Sequence, residues 1–409
     1  VTVQNGAQVS GGRGGLGEQS SAGRGGLGEQ SSAGRGGDGG SGIEVLRGGT
    51  SLFIAGEVRG GDSQGFVPGS QGAAIALNGS GNSVELQAGY DLVGKVVGGS
   101  NATLILGGAT NAGFDLSGLG SQYLGFSDFN KGGASTWTLS GAATAFRGDM
   151  AIDAGTLAFS AGAQLTAMNA QIANGAGSTA AVSVSGAGAK WTVDGPLVVG
   201  NQGQGGLTVS DGGTVLAGSI NAGTAIGGAG TISITGNGSH LGAGSLVLGD
   251  AGTASALVSG ATSSLTADTL TIANRGSAEL TVADGGRAGA GGGRNIEVAK
   301  NLGSVGTINI GAAAGQAATA PGTLASDIQF GAGTGRLVFN HTSSGYTFTR
   351  AVSGAGAIDL RAGTTILTAD SGGFSGPTTI AGSTLRMADT ARLGGTVSID
   401  GGGRAEGGG

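Results

Sequence analysis

One stretch, Ala181 to Gly286, constrains the fold more than any other. The string VSVSG at Val182 returns as LTVSD at Leu207, ISITG at Ile232, ALVSG at Ala256 and LTVAD at Leu280, at steps of 25, 25, 24 and 24 residues. A period of this size marks a solenoid or array. The first and third residues of the copies are Val182/Val184, Leu207/Val209, Ile232/Ile234, Ala256/Val258 and Leu280/Val282. Ser183, Thr208, Ser233 and Thr281 sit between them, the apolar-polar alternation of a half-buried strand. Leu257 breaks the alternation, and a one-residue slip there would turn it inward. Each copy closes on Gly186, Asp211, Gly236, Gly260 or Asp284, residue types that turn a chain sharply.

Each copy holds further strand-sized runs: KWTV (Lys190 to Val193), LVVG (Leu197 to Gly200), LVLG (Leu246 to Gly249) and LTIA (Leu270 to Ala273). Three short strands joined by Gly-rich corners make one rung. Stacked rungs pair in parallel at roughly 4.8 Å and bury together an apolar face that one rung cannot bury alone. The expected architecture is an all-β solenoid, a parallel β-helix. Collagen is excluded, because the 96 glycines follow no strict three-residue period and prolines number only four. Aromatics at 4% suit a narrow interior of Val, Ile, Leu and Ala.

A formal charge of −6 argues against nucleic acid, whose phosphates require a basic face. Charged residues are only 11% of the chain and scattered, which argues against a polybasic membrane patch, and no apolar run reaches the length of a membrane span. The abrupt, already strand-like start VTVQNGAQV leads us to expect a fragment of a longer precursor.

Three segments are expected along the chain. Residues 1–48 hold one strand and a low-complexity run in which GRGGLGEQSSA occurs at Gly12 and again, unchanged, at Gly23. Without alternation it reads as a flexible surface loop whose length can vary by tandem duplication. Residues 49–131 read as irregular rungs, in which Phe114, Tyr123, Phe126 and Phe129 pack a wide rung or form a recognition patch. Residues 132–409 read as regular rungs.

Within that last segment, TLSGAATAFRGDMAIDAGTLAF (Thr138 to Phe159) aligns with ILTADSGGFSGPTTIAGSTLRM (Ile366 to Met387) at a constant offset of 228 residues. Leu139 meets Leu367, Phe146 meets Phe374, Gly148 meets Gly376 and Ile152 meets Ile380, enough for one complete rung. These two segments resemble the passenger-associated transport repeat of bacterial autotransporters, the type V secretion proteins. VSGAGAKWTVDGPLVVGNQGQGGLTVSDGG (Val184 to Gly213) is similar to their adhesin-like repeat, and passages from Ile308 to Phe348 resemble passenger sequence as well. The resemblance implies a right-handed parallel β-helix passenger, carried to the bacterial cell surface, or released, through its own C-terminal membrane β-barrel. That barrel is not in this chain.

The search for chemistry leaves little. His240 and His341 are the two histidines, and neither has a second ligand at metal spacing; no cysteine is present. GGDSQG at Gly60 and ADSGG at Ala369 superficially resemble nucleophile motifs, without the base and oxyanion scaffold that a triad needs. Asp149, Asp153, Asp194 and Asp211 fall in separate rungs and read as turn residues bonded to their own backbone. No catalytic, metal or cofactor site is expected. Arg147, Gly148 and Asp149 form RGD in the loop of the first transport-like repeat, a motif that can bridge an integrin headpiece.

The expected function is a non-enzymatic, elongated adhesin or structural stalk. About 16 rungs at roughly 4.8 Å would hold loops along some 75 Å, facing host-cell surfaces, matrix, other bacteria or another passenger. The alternatives are a secreted β-helical hydrolase of glycans or with a protease domain elsewhere, and a bare stalk without a ligand.

Overall fold

The structure, a computed structural model, describes residues 1–15, 37–64, 69–143 and 145–407. The run Gly12 to Ala33 expected to be a flexible loop lies mostly outside the described residues. Among those described, one 3₁₀ turn at Leu116–Gly118 is the only helix, and the regular structure is otherwise strand. Close contacts divide the chain into two units, Val1–Met150 and Ala151–Gly409.

The second unit is a parallel β-helix. In-register pairing runs from Leu157 through Val182, Leu207, Ile232, Ala256, Leu280, Ile308, Leu337, Ile358 and Thr378 to Val397. The five positions aligned by the sequence period are therefore direct neighbours in one ladder. A second inward column comprises Trp191, Val215, Leu241, Leu265, Ala288 and Leu324. A third comprises Leu197, Ile220, Leu246, Leu270, Ile296, Ile328 and Val352. The side chains of both are almost fully buried. Each such aliphatic side chain contributes about 1.5–3 kcal/mol by leaving water, and the stack adds them rung by rung.

Three strand segments make a rung. In Lys190–Val199 the pairing breaks register between Val193 and Pro196, so one long strand bends into two. The next corner turns on left-handed residues stacked above one another: Ala173, Gly200, Gly223, Gly249, Ala273 and Ala299 all have φ between 52° and 69°. Polar side chains beside them bond from rung to rung. Asn201 Nδ2 donates to Asn174 Oδ1 at 2.9 Å, Asn274 Nδ2 to Asp250 Oδ1 at 2.6 Å and Asn301 Nδ2 to Asn274 Oδ1 at 2.8 Å. This ladder holds alanines in a backbone region that favours glycine.

Leu257 does not slip inward. It pairs in register with Ser233 and Thr281 and stays on the outer face, 36% exposed. The inward residues Ala256 and Val258 fix the strand on both sides, and a slip would expose them.

The two segments 228 residues apart share local geometry. A Cβ on Gly148 would meet Ser127 O at 1.8 Å and the Phe146 ring at 2.7 Å. A Cβ on Gly376 would meet Gly356 O at 1.6 Å and the Phe374 ring at 3.2 Å. Each glycine lies between a carbonyl and a buried phenylalanine. In the second copy Ile366 pairs with Arg386 and Leu367 with Met387, so the segment does close one turn of the coil.

The first unit has the same parallel pairing with irregular steps. Val3, Ile54, Leu86 and Leu106 form one inward column, and Leu52, Val84, Leu104 and Phe129 another. Phe114, Tyr123, Phe129 and Phe146 are buried, with ring centroids 5.1 Å (Phe114–Tyr123), 5.3 Å (Phe114–Phe129) and 6.0 Å (Phe129–Phe146) apart. These aromatics fill the unit's interior; Phe126, opposite Ala102, stays half-buried.

Beside these columns lies a core without side chains. Extended glycine segments 11–15, 37–42, 60–64 and 69–74 bond to one another through their backbones. Gly40 N donates to Gly12 O at 2.8 Å, Gly61 N to Gly40 O at 2.8 Å and Gly72 N to Gly61 O at 2.9 Å. A Cβ would lie 1.9 Å from a carbonyl oxygen at Gly61 and 2.1 Å at Gly72, and both residues are buried. Residues 12–15, the start of the run expected to be a flexible loop, are thus packed rather than free, as are residues 37–42 beyond it. Alternation was the wrong criterion there, since backbone-to-backbone packing uses no side chain.

Candidate functional site

The RGD triplet lies flat. Arg147 and Asp149 are exposed, but the Asp149 carbonyl accepts from Phe129 N at 3.0 Å, and Gly148 presses on Ser127. The Arg147 guanidinium turns back to donate to Phe146 O at 2.7 Å. The charged ends thus face solvent while the backbone between them is clamped to the neighbouring strand.

Several other sequence candidates take structural places. Ser371 is buried, and its Oγ accepts from Val352 N at 2.9 Å; Asp370 Oδ1 accepts from Gly372 N at 2.9 Å. Asp211 accepts from Ser185 Oγ at 3.2 Å and Asp284 from Ser259 Oγ at 2.8 Å, each across adjacent rungs. These two aspartates therefore tie neighbouring coils; for Asp211 the sequence suggests a bond to its own backbone instead. His341 is fully buried with Nε2 2.9 Å from Thr365 Oγ1, and His240 Nδ1 is 2.9 Å from Ser264 Oγ. Burial lowers the pKa of both rings. Among the described residues no group of three or more His, Asp or Glu side chains is placed to hold a metal ion.

Two clefts remain. In the first unit a cleft of about 460 Å³ lies against Tyr90, Asp91, Asp115, Ser117, Ser121 and Gln122. Many of its polar groups are already engaged. Asp115 Oδ1 accepts from Ser117 N at 2.9 Å, Ser121 Oγ donates to Ser117 O at 2.8 Å and Gln122 Nε2 to Leu92 O at 2.9 Å. Burial raises the pKa of Tyr90 and Tyr123, so both phenols stay neutral.

In the second unit a cleft of about 550 Å³ opens on the outer face, a volume within the usual range for ligand sites. Its floor is the stacked outward lane Val247, Thr271, Glu297 and Gln329. One wall is the corner Gly293, Arg294 and Asn295, and Lys300 stands at the other side. Glu297 Oε2 is 2.8 Å from Lys300 Nζ and accepts from Thr271 Oγ1 at 3.3 Å, while Asn295 Nδ2 reaches Gln329 Oε1 at 3.4 Å. The sequence reading did not single out these residues. Its available signal was the ladder step from Leu280 to Ile308, which stretches to 28 residues after two of 24.

No protein family, curated protein or solved structure matches this chain. Its function is therefore argued from the geometry. Among the described residues no helix is long and apolar enough to cross a membrane, which leaves membrane-spanning strands unaddressed.

Proposed function

We propose that the chain is a non-enzymatic adhesive or structural rod of the autotransporter-passenger kind, displayed at a bacterial surface or secreted. The observation that carries this reading is the ladder of the second unit, in register from Leu157 to Val397 and buried from Leu157 to Thr378. At roughly 4.8 Å per strand, its eleven positions span about 48 Å. Such a stack has a stiff aliphatic interior and offers its lateral face and corner loops to partners. Host surfaces, extracellular matrix and a second passenger are the partner classes, and a C-terminal barrel of the precursor would supply the anchor.

Binding of the purified 409-residue chain to cultured cells and matrix proteins tests the proposal. Saturable attachment without cleavage of glycans or casein is the expected result; turnover of either substrate would favour the hydrolase alternative. Asp149→Glu addresses the RGD separately. It should abolish integrin-dependent attachment, and unchanged attachment would remove the triplet from the adhesive surface.

A further inference from the structure

We infer that the cleft beside Arg294 binds a saccharide carrying a single carboxylate per unit. This deepens the adhesive reading by naming a ligand for the lateral face, and it is tested apart from any cell.

The corner is built differently from those before it. Ala217, Ala243, Ala267 and Ala290 are stacked in register, as are Ser219, Ser245 and Thr269 in the following strand segment. A single residue, Gly218, Gly244 or Asp268, joins the two positions in three successive rungs. In the fourth, Leu270 pairs with Ile296, so Asn295 takes the place of Thr269 and four residues, Gly291 to Arg294, fill the corner. The insertion leaves the ladder undisturbed, for Ile296 pairs onward with Ile328. Gly292 and Gly293 have φ of +60° and +71°, a backbone that lets the corner overhang the floor and ends on Arg294. Insertions into a solenoid map to loops on one face, often its binding face.

The chemistry of the lining selects the ligand. Arg294 is exposed and, among the described residues, its guanidinium makes no ion pair or hydrogen bond. Lys300 is matched by Glu297, and the exposed carboxylate of Asp268 lies beside Gly291 without pairing to Arg294, so Arg294 is the unpaired cation of the lining. A planar guanidinium receives a carboxylate through two parallel hydrogen bonds. The lining adds two hydroxyls (Thr269 and Thr271), two amides (Asn295 and Gln329) and a carboxylate (Glu297). The bonds from Thr271 to Glu297 and from Asn295 to Gln329 are long, at 3.3 Å and 3.4 Å, and Glu297 and Gln329 keep further lone pairs that can accept from ligand hydroxyls. The lining contains no aromatic side chain, and its hydrophobic residues are Val247 and Leu270, which disfavours an apolar guest. Glu297 in the floor repels phosphate esters and polyanions more than it repels a single carboxylate. A sugar acid fits all of these.

The test is calorimetric titration of the full chain with oligosaccharides built on galacturonate, glucuronate or sialate, beside their methyl esters. At least one acid series should bind saturably, and esterification of that series should weaken binding about ten- to a hundredfold. Arg294→Gln, on an exposed corner, should weaken it by the same factor while thermal unfolding is unchanged. Glu297→Gln, which removes a negative charge and frees Lys300 while keeping an acceptor oxygen, should tighten binding of the acid series relative to its esters, and a weakened acid series would count against the assignment. No binding of any acid series, equal binding of the esters, or an Arg294→Gln affinity within twofold of the parent would each overturn the assignment. Sugar binding without cell attachment would sink only the adhesive reading, and attachment without sugar binding only this one.

Discussion

Lys131 shows what one buried charge does to this chain. Its side chain is 1% exposed, and Nζ donates to the carbonyls of Gly132 and Gly133, the latter at 2.8 Å. Burial pushes its pKa down to about 8, with Glu85 opposing the shift. The unfolded chain keeps its proton to about pH 10.4, so between about 8 and 10.4 the unfolded state binds more protons. Stability should therefore rise with pH across that window, with the penalty complete below it. Urea midpoints at pH 7 and pH 9.5 check this, and Lys131→Met should flatten the difference. His341 works at the other end. Its ring is buried, Nδ1 has no partner, and its pKa is lowered by desolvation. A histidine held neutral costs stability as pH falls through about 6.5, where the unfolded chain takes up a proton. Thermal midpoints should drop between pH 7.5 and 5, and His341→Gln should remove part of that drop, with His240 supplying a further part because its pKa is also lowered.

Among the elements, the glycine segments of the first unit make the sharpest contrast with their neighbours. An added methyl at Gly61 would sit 1.9 Å from Gly12 O, whereas a methyl at Gly12 meets nothing within 4 Å. Gly61→Ala should lower stability by about 2–3 kcal/mol as overpacking, and Gly12→Ala should stay within about 0.5 kcal/mol. Chemical denaturation of the pair reads this directly; equal effects would mean that the segments do not touch. The strands were legible wherever side chains alternate, as from Val182 to Val282. This packing was not, because a rule built on alternating side chains is blind to segments that meet through carbonyls and Cα atoms. Leu257 was misjudged for a related reason: its own polarity was weighed, while the burial of Ala256 and Val258 decides where it points.

For the whole molecule, the period and the glycine corners identified a parallel solenoid because each rung repeats one solution. Ligand sites on such a scaffold lie at its departures from the period, and a reading that searches for regularity passes over them. The Arg294 corner was visible only as a lengthened step, and its lining comes from residues between Val247 and Gln329 that stacking alone unites. The same nearest-neighbour construction makes a prediction about energetics. Ile234, buried between Val209 and Val258, should cost about 2–5 kcal/mol on replacement by Ala. Hydrogen exchange should quicken most in the strands Gln204–Ser210 and Thr253–Ser259, and least in Ala357–Ala362, because each coil contacts chiefly its neighbours.

The ladder keeps its register from Leu157 to Val397 while the residues per step range from 19 to 29. Corners absorb the whole difference. Such a scaffold separates holding its shape from changing what it touches: a foreign peptide spliced at Gly292 would alter the surface chemistry of one coil and leave every strand where it was. Variation can then accumulate coil by coil, each new contact tried without renegotiating the interior.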